Sequence, residues 1–270
     1  MEKKDLDWGN IGFSYMPTDK RYVANYKDGA WDGGAMTSDP NVVINECAGI
    51  LQYCQEIFEG LKAYTTEDGS IVTFRPDLNA ERMIDSARRL EMPAFPKERF
   101  LDAIDKVVTA NAAWVPPYGS GATLYIRPYM FASSAVIGVK PAEEYQFRVL
   151  TTPVGPYFKG GAKPITIKVS DFDRAAPHGT GHIKAGLNYA MRLHAIVDAH
   201  QQGYDENVYL DAATRTKIEE TGGANIIFVT KDNKVVTPKS NSILPSITRR
   251  SIMHVAKEYL GLEVEEREVF

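Results

Sequence analysis

Near the middle of the chain, residues 178–195 read HGTGHIKAGLNYAMRLHA. Lys184 stands there where a glycine-rich turn gives way to Ala185, Gly186 and Leu187. A single lysine is by default a solvated surface residue. Among small neighbours that let another molecule come close, its amine could instead be a nucleophile, condensing with an aldehyde or ketone to a Schiff base. That chemistry needs a lowered amine pKa, from a desolvated pocket or a nearby cation.

The usual aldehyde partner of such a lysine is pyridoxal phosphate, which makes three further demands. Its phosphate needs backbone N–H groups, often at a helix N-terminus, and usually an arginine. Its ring nitrogen needs an acidic partner, and its 3′-oxygen a donor. The sequence holds a candidate for each. LPSIT (244–248) opens a helix, so the N–H groups of Ile247 and Thr248 would face an anion, with the Thr248 hydroxyl beside them. Arg82 lies on a helix. Glu220, in KIEETGGAN, sits beside two glycines that would let backbone approach a ring. Tyr189 lies five residues beyond Lys184. Each signal alone is common, and together they reach only an α/β enzyme that could depend on a lysine. His178 and His182 imitate a metal pair, but Gly179 and Gly181 argue against a rigid helical site, so both read as loop residues.

Elements must position these groups. Strands are expected at 71–74, 123–131, 146–154, 165–170, 206–210, 226–230 and 234–238, with a hairpin turn at DNK between the last two. Helices are expected at 77–90, with Asp77 as a candidate cap, and at 97–113, 185–201 and 245–261. The third would bury Leu187, Met191, Leu193 and Val197. TTPVGPYFKGGAKP (151–164) is rich in Gly and Pro and reads as a linker. The expected organisation is an N-terminal α/β domain over 1–150, a linker over 151–162 and a second domain over 163–270. A cleft between domains is a favoured cofactor position. The closing LEVEEREVF looks like the start of a strand with no closing element.

The chain has 270 residues, a formal net charge of -4 and 44% hydrophobic residues. That is globular composition, and its mild acidity argues against a nucleic-acid binder. Cys47 and Cys54 form neither a redox pair nor a metal knuckle and suit a reducing compartment. MEKKDLDWGN has no apolar core, and no apolar run approaches a membrane span. The expectation is a soluble cytoplasmic protein.

Seven stretches, in order, resemble the successive motifs of one family: QEIFEGLKAY (55–64), FRPDLNAERM (74–83), LYIRPYMF (124–131), GPYFKGG (155–161), HIKAGLNYA (182–190), EETGGANIIFV (219–229) and ILPSITRRSI (243–252). They look like those of the branched-chain amino acid aminotransferases, which are fold-type IV pyridoxal-phosphate enzymes. The resemblance implies an α+β fold, a small α/β domain followed by a larger pseudo-barrel domain, and a homodimer. It implies transfer of an amino group between leucine, isoleucine or valine and 2-oxoglutarate, by way of the matching 2-oxo acids and glutamate. By the same resemblance, Lys184 carries the cofactor and shuttles a proton. Glu220 partners the ring nitrogen, and Tyr189 the 3′-oxygen. Arg82, Ile247 and Thr248 cradle the phosphate. Phe58, Tyr125 and Tyr157 wall an apolar side-chain pocket, and Arg127 meets the distal carboxylate of glutamate. Tyr53 and the VIGV loop (136–139) reach the partner subunit's site. Burying an aliphatic substrate side chain against such walls is worth roughly 1.5–3 kcal/mol. Phe58, Tyr125 and Tyr157 could instead be core aromatics, a reading given less weight, and Arg127 could pair with a surface carboxylate. A D-amino acid transaminase, an aminodeoxychorismate lyase and a non-catalytic cofactor-binding fragment are the alternatives. The family continues beyond the point matching Phe270 into a Gly-Thr-Ala type turn, so the second domain is expected to be incomplete.

Overall fold

The computed structural model describes residues 2–156 and 163–270. The chain divides into two compact units, Met1–Lys163 and Pro164–Phe270. Tyr157 lies outside the described residues.

In the first unit eight strands make one sheet: β1 (Arg21–Lys27), β2 (Ala30–Trp31), β3 (Ala35–Thr37), β4 (Glu56–Phe58), β5 (Leu61–Thr65), β6 (Ile71–Thr73), β7 (Thr123–Ala132) and β8 (Tyr145–Val154). Its main path is β2-β1-β8-β7-β5-β6, with β3 also paired to β1 and β4 to β7. Every pairing is antiparallel. Three helices accompany it: α1 (Gly49–Tyr53), α2 (Pro76–Arg89) and α3 (Lys97–Ala110).

β7 sets the chemistry of the two sheet faces. Leu124, Ile126, Pro128 and Met130 are buried, while Thr123, Tyr125, Arg127 and Tyr129 alternate with them and are only half-buried. The period-two alternation puts the second set on one face. The opposite face is core. There Phe147 of β8 stacks on Phe95 with centroids 3.8 Å apart, and Phe100 and Tyr22 are buried beside Phe147. Residues 151–154, read both as the end of a strand over 146–154 and as the start of a linker, complete β8, where Thr151 and Thr152 pair with Ile126 and Tyr125. Asp77 is not the cap of α2. Arg75 occupies that position in the left-handed region (φ 48), Pro76 takes the first helical position, and Asp77 sits in the first turn. Its charge there complements the helix dipole.

The second unit contains β9 (Ile167–Val169), α4 (Gly186–Ala190), α5 (Leu193–Gln201), β10 (Glu206–Leu210), β11 (Ile218–Thr221), β12 (Phe228–Val229), β13 (Val235–Pro238), α6 (Ile247–Glu258) and β14 (Val264–Arg267). The strands form two three-stranded sheets, β11-β10-β9 and β12-β13-β14. β14 pairs in parallel with β13, and the Ile218 amide donates to the Val269 carbonyl at 2.7 Å. The last residues are thus a paired strand. The helix expected at 185–201 is two helices, interrupted at Met191–Arg192. Its expected apolar face is also displaced: Met191, Leu193 and Val197 are exposed, and Ala195 and Ala199 are the buried residues of α5. Among the described residues no helix is long and apolar enough to cross a membrane. The architecture is α+β.

Candidate active site

The second unit holds Lys184 directly before the start of α4, whose cap position is Ala185. The glycine-rich turn leading to it is tight. A Cβ on Gly181 would overlap the Ser242 carbonyl oxygen and lie 2.8 Å from the Ala175 Cβ. Asn188 organises that turn from inside α4. It is buried and donates to the carbonyls of Thr180 (2.7 Å) and Ile183 (3.0 Å), while the Thr180 hydroxyl donates to its amide oxygen. Lys184 is half-buried, and its Nζ donates to the Tyr189 hydroxyl at 2.8 Å. One helical turn places residue 189 beside the helix start. The Arg192 guanidinium also lies over the Tyr189 ring, 4.3 Å from its centroid.

Glu220 comes from β11 and is buried. Its carboxylate pairs with Arg174 and accepts from the Asn225 side chain and from the Leu244 amide at 3.2 Å. Burial pushes its carboxyl up, and Arg174, the Leu244 amide and Asn225 oppose that shift. Two residues on, Gly222 leaves space for the Glu206 side chain: a Cβ there would lie 2.6 Å from a Glu206 carboxylate oxygen.

α6 begins at Ile247, later than the expected Pro245. Ser246 caps it, accepting from the Arg249 amide at 3.1 Å. The amides of Ile247 and Thr248 donate no hydrogen bond among the described residues, and Thr248 is exposed. A first helical turn with open amides and a hydroxyl is a fit for a phosphate. The donor set of this unit therefore suits pyridoxal phosphate: an amine, a phenol, a buried carboxylate and an anion-binding helix end.

In the first unit, Phe58, Tyr125 and Arg127 come together. The Arg127 guanidinium lies 4.6 Å from the Phe58 ring centroid and 5.2 Å from that of Tyr125, and its Nε donates to the Tyr125 hydroxyl at 3.1 Å. Gly60 makes room for this: a Cβ there would lie 2.5 Å from the Tyr125 oxygen. Phe58 itself is buried, opposite Tyr129 in the β4–β7 register. Arg127 thus meets aromatic faces and a phenol, a mixed apolar and cationic surface.

Arg82 is buried on α2 and forms a bidentate pair with Glu59, with Nε–Oε1 and Nη2–Oε2 both 2.7 Å. Asn79 donates to the same carboxylate at 2.8 Å. Glu59 takes two of the guanidinium's five donors and fixes its plane. Tyr53 is exposed at the end of α1, and its hydroxyl donates to the Ile137 carbonyl of the VIGV loop. Arg174, Glu59, Asn188, Arg192 and Asn225 were not among the expected site residues. Each is a polar residue whose significance lies in its partner, and no local spacing marks it.

Comparison with known proteins agrees with this chemistry. The family model described as "Amino-transferase class IV" matches residues 56–269. The branched-chain-amino-acid aminotransferase of Haemophilus influenzae is 53% identical over 99% of this chain and 79% of its own length. The crystal structure of the Escherichia coli branched-chain amino acid aminotransferase superposes with a TM-score of 0.78 at 29% identity, covering 93% of this chain and 78% of that one. The Thermobaculum terrenum enzyme, solved in its PLP-form, gives a TM-score of 0.75 at 25% identity over 94% of this chain and 78% of that one. This chain belongs to the class IV aminotransferases, within the group of branched-chain amino acid aminotransferases.

Proposed function

We propose that the protein transfers the amino group between leucine, isoleucine or valine and 2-oxoglutarate, using pyridoxal phosphate. The observation that carries this is the pairing of Lys184 with Tyr189 at the mouth of the Gly181 turn, in the same unit as the buried Glu220 and the open first turn of α6. When bound, the cofactor supplies an electron sink that acidifies the Cα–H of an amino acid.

The residues divide the remaining work. Lys184 Nζ would hold the cofactor and, as a free amine, would take the proton at the substrate Cα as general base. Tyr189 orients that nitrogen and donates to the 3′-oxygen. Glu220 would accept from the protonated ring nitrogen. The amides of Ile247 and Thr248, the Thr248 hydroxyl and Arg82 bind the phosphate. Phe58 and Tyr125 hold an aliphatic side chain by apolar contact. Arg127 meets the distal carboxylate of glutamate by a charge-assisted hydrogen bond. Tyr157 is assigned to the same apolar wall from the sequence alone.

We also propose a cytoplasmic homodimer. The exposed side chains of Leu51, Tyr53, Ile137 and Val139, on α1 and the VIGV loop, support an association surface there. Two free cysteines suit a reducing compartment.

The test is an amino-donor panel with 2-oxoglutarate as acceptor. Glutamate should form from L-leucine, L-isoleucine and L-valine, with rates spread over roughly one to two orders of magnitude, because one methylene discriminates weakly. Transfer from D-alanine with none from L-leucine would contradict the assignment.

A further inference from the structure

Arg174 precedes Lys184 by ten residues and lies in a loop, where an arginine is ordinarily solvated. Here it is 6% exposed. Its guanidinium meets three separate segments. Nη1 donates to the Ser242 carbonyl at 2.9 Å, Nη2 donates to the Gly181 carbonyl at 3.1 Å, and the group pairs with the Glu220 carboxylate. Gly181 stands three residues before Lys184. Ser242 stands four residues before Ser246, the cap of α6. One side chain thus touches the strand bearing Glu220, the loop that leads to Lys184 and the loop that leads to the start of α6.

We propose that Arg174 is a positioning residue: it holds Glu220 as an anion and fixes the Lys184 turn and the α6 start relative to it. The proposal rests on the cofactor assignment above.

The charge argument is direct. A carboxylate out of water prefers to be neutral, and a neutral Glu220 could not stabilise a protonated ring nitrogen. A guanidinium in contact restores the anion and cannot itself give up its proton. Asn225 and the Leu244 amide add hydrogen bonds, but neither brings a full charge. The geometric argument is independent of charge. Three acceptors from three segments are met by a planar fork, which an ammonium group does not reproduce. Among the described residues, Arg174 Nε is buried with no hydrogen-bond partner. That orphaned donor is an energetic cost tolerated while the other donors stay engaged. The backbones at Gly181 and Ser242 already touch, so the carbonyls that Arg174 joins lie on adjoining segments.

A buried ion pair can also be a purely structural staple. Two variants separate the readings, Arg174→Gln and Arg174→Lys, each checked for folding by circular dichroism. The first readout is the 15N resonance of the cofactor ring nitrogen in enzyme loaded with labelled pyridoxal phosphate. Wild type and Arg174→Lys should both report a protonated ring nitrogen. Arg174→Gln should move the resonance toward the neutral ring and lower kcat at least about tenfold, while the KM for leucine changes less. A folded, loaded Arg174→Gln enzyme with the wild-type resonance overturns the charge role. The second readout is hydrogen exchange of cofactor-free protein, which uses Arg174→Lys should the glutamine variant not fold. Exchange should quicken around residues 179–185 and 241–247 and stay unchanged in the first unit. Unchanged exchange in those two segments overturns the positioning role. Wild-type protein that takes up no cofactor would instead defeat the cofactor assignment, and the exchange result would stand apart from it.

Discussion

Arg127 lies between apolar and polar chemistry. Its guanidinium rests on Phe58 and reaches the Tyr125 hydroxyl, so the same surface can contact a leucine side chain or bind a carboxylate. A hydrogen bond to a charged group is worth roughly 1.5–3 kcal/mol, or about tenfold to a hundredfold in binding. Arg127→Gln should therefore raise the KM for 2-oxoglutarate about tenfold or more, while the KM for leucine moves only a few-fold. Steady-state kinetics with each substrate varied will check this, and equal losses for both would remove Arg127 from carboxylate recognition. Residues of this kind were legible in part. Lys184 and Glu220 were singled out by neighbouring glycines, and Tyr189 by its place five residues beyond Lys184. Arg174 and Glu59 did not, because a buried charge looks in the sequence like any surface charge. Arg82 showed the same limit: its helix was plain, but not its bidentate partner.

Elements carry the next layer. Alternating runs gave β7, β8, β10 and β13, 3.6-residue periodicity gave α2 and α3, and an opening proline with a closing glycine gave α6. β11 escaped because its buried residues include Glu219 and Glu220, which a hydrophobic pattern does not count. The break between α4 and α5 escaped because neither Gly nor Pro marks it. The turn joining β10 to β11 shows what an element's local chemistry is worth. Burial pushes the Asp211 carboxyl up. The amides of Lys217, Thr214 and Thr216 and the Thr214 hydroxyl outweigh that effect and hold it well below the usual carboxylate range. A carboxylate with a depressed folded-state pKa contributes stability above its unfolded pKa, and loses it as pH falls through the folded one. Asp211→Ala should therefore cost about 1 kcal/mol at neutral pH, the size of a lost backbone-capping side chain. The difference from wild type should shrink below about pH 4, where an unfolded aspartate takes up its proton. Urea unfolding at pH 7 and pH 3 will read it, and a difference that grows on acidification would contradict the account.

At the scale of the whole molecule, each unit carries a distinct part of the chemistry. Met1–Lys163 supplies a sheet face with Phe58, Tyr125 and Arg127, and Pro164–Phe270 supplies the amine, phenol, carboxylate and helix end. The division between the units falls at Lys163–Pro164, in the Gly- and Pro-rich stretch 151–164, whose first four residues belong to β8. The strand expected in the tail is present as β14, and its parallel partner β13, distant in sequence, is what the local pattern did not show. Everything proposed for the reaction depends on one bond-forming group, and that can be located chemically. Enzyme loaded with pyridoxal phosphate would be reduced with borohydride, digested and mapped by mass spectrometry. The account predicts the cofactor's mass on the peptide containing Lys184, and no incorporation in Lys184→Ala. Cofactor fixed on a different lysine, or Lys184→Ala that still transfers amino groups, would contradict it.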